Sequence, residues 1–148
     1  MDNNDNVTGG SDDKKTRRML VADDDPAILK LIATILEKEN FTVVTARDGR
    51  EAYKTLQADA DFTAAILDVV MPHITGPELV RFMKAEERLK NIPVVLFSTS
   101  NNATDKAFAQ VHGANYVTKP FTYKSMEVVV KEFIRMCEKE GARRSTAN

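Results

Sequence analysis

Short apolar runs that do not alternate with polar residues, set between stretches of helical periodicity, constrain this chain more than any other feature. Met19-Leu-Val-Ala22, Ala64-Ala-Ile-Leu67 and Ile92-Pro-Val-Val-Leu-Phe97 are such runs. A strand with one wet face alternates, whereas a strand covered by helices on both faces does not. The β-branched segment Phe41 to Thr45 and the pair Tyr116-Val117 complete five strand candidates. A helical pattern follows each one. Asp25-Pro26 reads as a cap and first helical position, with Ile28, Leu29, Ile32, Ile35 and Leu36 behind it and a stop at Asn40. Asp48-Gly49 opens a helix carrying Ala52, Tyr53 and Leu56, and a third helix from about Gly76 carries Leu79, Val80, Phe82 and Met83. Asn101 or Asn102 caps a weaker fourth helix with Ala107, Phe108 and Val111, stopped at Gly113. The last helix, from about Thr122 to Glu140, places Met126, Val129, Val130, Phe133, Ile134 and Cys137 on one face, with Gly141 beyond. The connections are too long for hairpins, so the strands lie parallel with right-handed crossovers. The fold expected is α/β: a five-stranded doubly wound parallel sheet with helices on both faces.

Composition narrows the functions open to it. The chain has 148 residues, which fits one domain. Lys+Arg 21 against Asp+Glu 22 gives no support to direct binding of nucleic acid. A single cysteine excludes an internal disulfide and a cysteine-rich zinc site. No apolar run approaches the roughly 18 residues of a membrane span, and the N-terminus has no basic, then apolar, leader pattern. No membrane association and a cytoplasmic address are expected. Residues 1–16 hold Asp2, Asp5, Asp12, Asp13, Lys14 and Lys15 with almost nothing apolar, and read as a disordered tail. Residues 17–140 form the domain, and 141–148 read as a polar C-terminal tail.

In doubly wound sheets, ligands sit at the carboxyl ends of the strands near the topological switch point. Those ends carry Asp23-Asp24-Asp25, Asp68, Ser98-Thr99-Ser100 and Thr118-Lys119-Pro120. Carboxylates at about 4 Å repel one another by several kcal/mol at an effective dielectric near 20. The arrangement calls for a cation, and few oxygen ligands beside open space suit Mg²⁺. Lys119 and a hydroxyl facing the acids could hold phosphoryl oxygens, and an aspartate can itself become an aspartyl phosphate. Asp25 has a simpler role, as a helix cap. His73 and His112 read as surface residues and Cys137 as core.

Leu-Val-Ala-Asp23-Asp24-Asp25-Pro, Ile-Leu-Asp68-Val-Val-Met-Pro72 and Tyr116-Val-Thr-Lys119-Pro120-Phe121 together resemble the three signatures of the receiver domain of two-component response regulators. The resemblance spans about residues 17–140. It implies a flavodoxin-like strand order, 2-1-3-4-5. It implies Asp68 as phosphoacceptor, with Asp24 and Asp68 binding Mg²⁺ directly, Asp23 largely through water, and the Val70 carbonyl completing the site. Lys119 would pair with the phosphoryl oxygens and its bond to Pro120 would be cis, Ser98 would donate to the phosphoryl group, and Tyr116 would change rotamer in response. The partners implied are a sensor histidine kinase or histidine phosphotransfer protein, and a downstream protein that reads the fourth helix, fifth strand and fifth helix. On this reading the chain is a single-domain response regulator, a phosphorylation-controlled switch without an output domain. It is not an enzyme beyond its own phosphorylation and dephosphorylation. Ser98 stands where Thr is usual, Thr99 where Ala or Gly is common, Val70 where many members are polar, and Thr75 where Asp or Ser is frequent. None of these changes removes a catalytic group.

Two other readings compete. A small haloacid-dehalogenase-type phosphatase would use Asp23 and Asp25, but it leaves Asp68 without a role. It also needs a late acidic pair, and after Lys119 the chain offers only glutamates within the last helix. An unphosphorylated receiver-like docking module would not need the full acceptor set. A flavin mononucleotide binder fails sooner, because the loop after the first strand is acidic where phosphate needs donors.

Overall fold

The computed structural model describes residues 17–120 and 122–147, with side chains through residue 140. The segment 1–16, expected to be a disordered tail, and Phe121 of the third signature lie outside the described residues. Strands and helices strictly alternate. They are β1 (Arg18–Ala22), α1 (Pro26–Lys38), β2 (Thr42–Ala46), α2 (Gly49–Ala58), β3 (Ala64–Asp68), α3 (Gly76–Ala85), β4 (Val94–Ser98), α4 (Ala103–Val111), β5 (Asn115–Thr118) and α5 (Tyr123–Ala147). All neighbouring strands pair in parallel, in the order β2-β1-β3-β4-β5, as the resemblance implied. The order reverses between β1 and β3, and this sets the switch point between those two strand ends.

The sheet separates two apolar layers. Leu20, Ala65, Leu67, Val94 and Leu96 face α2, α3 and α4, while Met19, Val21, Ala64, Ile66, Val95 and Phe97 face α1 and α5. Successive residues of a strand point to opposite faces, and here both faces are dry. That is why β1, β3 and β4 read as unbroken apolar runs. Caps fix where the helices begin. Asp25 accepts from the Ala27 amide, Asp48 from Glu51 and Asn102 from Asp105. Thr75 and Glu78 form a reciprocal capping box at α3. Asn40, at φ 69°, turns the chain out of α1.

Three local expectations are corrected. The last helix does not stop at Gly141 but runs on to Ala147. A glycine inside a helix costs only about 1 kcal/mol relative to alanine, and alanine and arginine follow. In α4, Ala109 is the buried residue, Phe108 is half-buried, and Ala107 and Val111 are exposed. The Phe108 ring packs on the His112 ring at 4.0 Å and under the Arg81 guanidinium at 5.4 Å, which turns Ala109 toward the sheet instead. The Lys119–Pro120 bond is trans, not cis, and no cis peptide occurs among the described residues. Trans is favoured by about 0.5–1 kcal/mol before any tertiary contact acts. Among the described residues no helix is long and apolar enough to cross a membrane.

Candidate functional site

The strand ends deliver their polar residues to one crevice. Asp23 follows β1, Asp68 ends β3, Ser98 ends β4, and Lys119 follows β5. These four are the buried polar side chains of the described core, and Asp24 beside them is exposed. One carboxylate oxygen each from Asp23, Asp24 and Asp68 lie within 4.8 Å of one another. The Lys119 ammonium reaches in from the other side, 2.8 Å from Asp23 and 3.4 Å from Asp68. The backbone fixes each member. The Asp23 amide donates to the Ala46 carbonyl at 3.1 Å, the Val69 amide to Phe97 at 2.8 Å, and the Lys119 amide to Ser98 at 2.6 Å. Asp23 also accepts from the Asp25 amide at 2.9 Å.

One lysine does not balance three acids. Burial first, and then the Asp23 charge, push the Asp68 carboxyl up to about 7 despite the nearby lysine. Burial alone would push the Lys119 ammonium down, but its contacts with Asp23 and Asp68 outweigh that and hold it above the ordinary lysine value. The excess of negative charge in a nearly dry site, with oxygen donors only and open water at Asp24, fits a hard divalent cation such as Mg²⁺. Asp23, Asp24 and Asp68 are the side chains able to hold it.

Two glycines determine how the loop after β3 lies. The Gly76 amide donates to the Val69 carbonyl at 2.9 Å, and a Cβ at Gly76 would overlap the Asp68 carbonyl oxygen. Gly49, at the start of α2, donates to the Pro72 carbonyl at 3.3 Å, and a Cβ there would overlap the Ile74 carbonyl oxygen. The Arg50 guanidinium adds a bond to Nδ1 of His73, 3.1 Å away, while His73 holds a left-handed backbone at φ 74°. The stretch from residue 69 to 75 is therefore gripped at both ends. These glycines were not singled out as site residues from the sequence. The available signal was a glycine directly after each capping residue, Asp48 and Thr75.

The sequence candidates divide into two groups. Asp23, Asp24, Asp68 and Lys119 meet. Ser98 stands at the same crevice, buried, its hydroxyl accepting from the Ser100 amide at 3.1 Å. Tyr116 does not touch this group: its hydroxyl donates to the Ser100 carbonyl at 2.7 Å and accepts from the Asn102 amide at 3.4 Å. Val70 is 71% exposed on the loop after Asp68. Asp25 caps α1, His73 is exposed, and Cys137 is buried, as expected. His112, the residue that caps the C-terminus of α4, is half-buried rather than fully at the surface.

The sequence profile of the family described as the response regulator receiver domain matches residues 19–131. Chemotaxis protein CheY1 of Helicobacter pylori strain J99 is 34% identical over 101 residues, covering 67% of this chain and 82% of that protein. The uncharacterized transcriptional regulatory protein YcbL of Bacillus subtilis is 31% identical over 126 residues, covering 84% of this chain and 54% of its own length. The chain likewise spans 47% of the B. subtilis alkaline phosphatase synthesis transcriptional regulatory protein PhoP. Among solved structures, the phosphorylated cyanobacterial phytochrome response regulator RcpA superposes with a TM-score of 0.72 at 31% identity, covering 79% of this chain and 90% of that one. Vibrio cholerae CheY4 superposes with a TM-score of 0.70 at 28% identity, covering 80% and 99%.

Proposed function

The chain belongs to the response regulator receiver family, and from that premise we propose that it is a switch thrown by phosphorylation of Asp68 with Mg²⁺ bound. The observation that carries the reading is the meeting of Asp23, Asp24 and Asp68 with Lys119 at the carboxyl ends of β1, β3 and β5. Asp23, Asp24, Asp68 and the Val70 carbonyl would hold the ion, which neutralises charge on the phosphoryl oxygens. An Asp68 carboxylate oxygen attacks phosphorus in line. The bond from phosphorus to the donor nitrogen breaks, and the imidazole of a phosphohistidine leaves with that electron pair. Lys119 then faces a phosphoryl oxygen in place of the free carboxylate, and the Ser98 hydroxyl donates to another. Tyr116, whose hydroxyl rests on the Ser100 carbonyl two residues from Ser98, is placed to register that change.

The donor is a sensor histidine kinase or a histidine phosphotransfer protein. The downstream protein reads α4, β5 and α5, where Val111, Val128 and Met136 are exposed. The phosphatase reading loses ground because Asp25, its second carboxylate, is engaged in capping α1.

The test is incubation with acetyl phosphate and Mg²⁺, followed by intact mass. One phosphoryl group should be added, and its addition should vanish with EDTA or in Asp68→Asn. Undiminished labelling of Asp68→Asn would refute the assignment.

A further inference from the structure

The opposite pole of the sheet, where β4 and β5 begin, holds a cavity of about 300 Å³ remote from the phosphorylation site. Its walls come from four elements. Lys84 stands in the last turn of α3, Val94 opens β4, Asn115 opens β5, and Phe133, Met136 and Cys137 belong to the middle turns of α5. The Lys84 ammonium is half-buried and donates to the Lys90 carbonyl at 3.1 Å, and among the described residues no carboxylate pairs with it. Burial holds its pKa below the usual lysine value, which marks a cation short of solvent and of counter-charge. Lys90, also in the wall, is already paired with Glu87 at 2.9 Å. The side-chain carboxamide of the half-buried Asn115 makes no hydrogen bond with the described residues. Facing these polar groups are the Phe133 ring and the Met136 thioether, an adaptable apolar surface. Glu140 stands in the lining as well. The lining is mixed, with polar groups on one side and the Phe133 and Met136 side chains on the other, and the volume lies at the lower end of the range of small-ligand sites.

We propose that this cavity binds a small organic anion with a flat apolar body. The anionic group pairs with Lys84, an acceptor or donor on the ligand meets Asn115, and the body lies against Phe133 and Met136. Asn115, Phe133 and Met136 also line a second groove of about 260 Å³ between β5 and α5. That groove belongs to the face assigned above to the downstream partner. An occupant of the first cavity therefore restrains side chains of the second.

The probe is 1-anilinonaphthalene-8-sulfonate, titrated into the full chain and followed by fluorescence and by amide chemical shifts. Saturable one-to-one binding is expected, with the largest shifts at Lys84, Val94, Asn115 and Met136. A charge-assisted contact implies about tenfold weaker binding, or more, for Lys84→Met and for the uncharged N-phenyl-1-naphthylamine. Met136→Glu, at a position 41% exposed and so compatible with folding, should weaken binding as well. The proposal is overturned by equal affinity in Lys84→Met, by shifts centred on Val117 and Val128 instead, or by the absence of saturable binding. None of these outcomes bears on labelling of Asp68.

Discussion

Neutralising Asp68 should make the metal-free protein more stable, by an amount that depends on pH. Asp68 is 6% exposed, beside Asp23, and its carboxyl titrates near 7 in the fold against about 3.9 in an unfolded chain. Between those values the folded chain holds a proton that the unfolded chain has lost. Stability therefore falls as pH rises from about 4 to 7, and the full cost is present above 7. Three pH units correspond to about 4 kcal/mol. Water reaches the site at the exposed Asp24 and relaxes the penalty, so about half, roughly 2 kcal/mol, is the expected cost. Asp68→Asn keeps the shape and removes the charge, and Lys119 retains Asp23 at 2.8 Å. In EDTA at pH 8 the variant should melt roughly 6–10 °C above the parent. At pH 5 about two-thirds of that reduced gain should remain, because a cost of roughly 2 kcal/mol is reached within about 1.5 pH units of the unfolded value. Saturating Mg²⁺ should narrow the gap, because the ion removes the same repulsion in the parent. Melting within a degree of the parent at pH 8, or an equal gain at both pH values, would show that Asp68 is not under electrostatic stress.

Further outcomes follow from the same geometry. Mg²⁺ at 100 times its dissociation constant should stabilise the parent by about 2.7 kcal/mol; a smaller rise in melting temperature is expected in Asp24→Asn, and an equal rise would contradict direct ligation. Gly49→Ala drives a methyl group into the Ile74 carbonyl, so it should cost roughly 2–4 kcal/mol and also shrink the Mg²⁺-induced rise in melting temperature. Loss of stability with an unchanged Mg²⁺ response would mean that the loop from residue 69 to 75 does not set the ion site. Val70 and Thr99 are both exposed, Val70 has no group to hold an attacking water, and Thr99 adds bulk where Ala or Gly would leave room. First-order loss of phosphate from Asp68 should accordingly be faster in Val70→Asn and Thr99→Ala, and unchanged rates in both would show that access at these positions does not set the rate.

What the sequence made legible follows from what it encodes locally. The parallel doubly wound sheet could be read because β1, β3 and β4 are buried on both faces, which leaves unbroken apolar runs. The site could be read because the ends of parallel strands necessarily face one way, so Asp23, Asp68 and Lys119 had to converge. The strand order was not readable from periodicity and came only with the family resemblance. The buried face of α4 was misassigned because nine residues carry too short an apolar stripe, and contacts of Phe108 with His112 and Arg81 decide its rotation. The end of α5 was misplaced because Gly141 is a weak stop when helix formers follow it. The roles of Gly49 and Gly76 were hidden for a different reason. They depend on backbone atoms of another loop, Ile74 and Asp68, which local sequence does not encode.

Those two glycines also bear on how this gene can vary. Every single-nucleotide missense change of a glycine codon adds at least a Cβ, and at positions 49 and 76 that atom has no room beside the carbonyls of Ile74 and Asp68. In a saturation library scored for signalling, both positions should be nearly as intolerant as Asp68, although neither side chain touches phosphate or metal. Val70, open to water on the loop after Asp68, should by contrast accept most substitutions without cost to the fold.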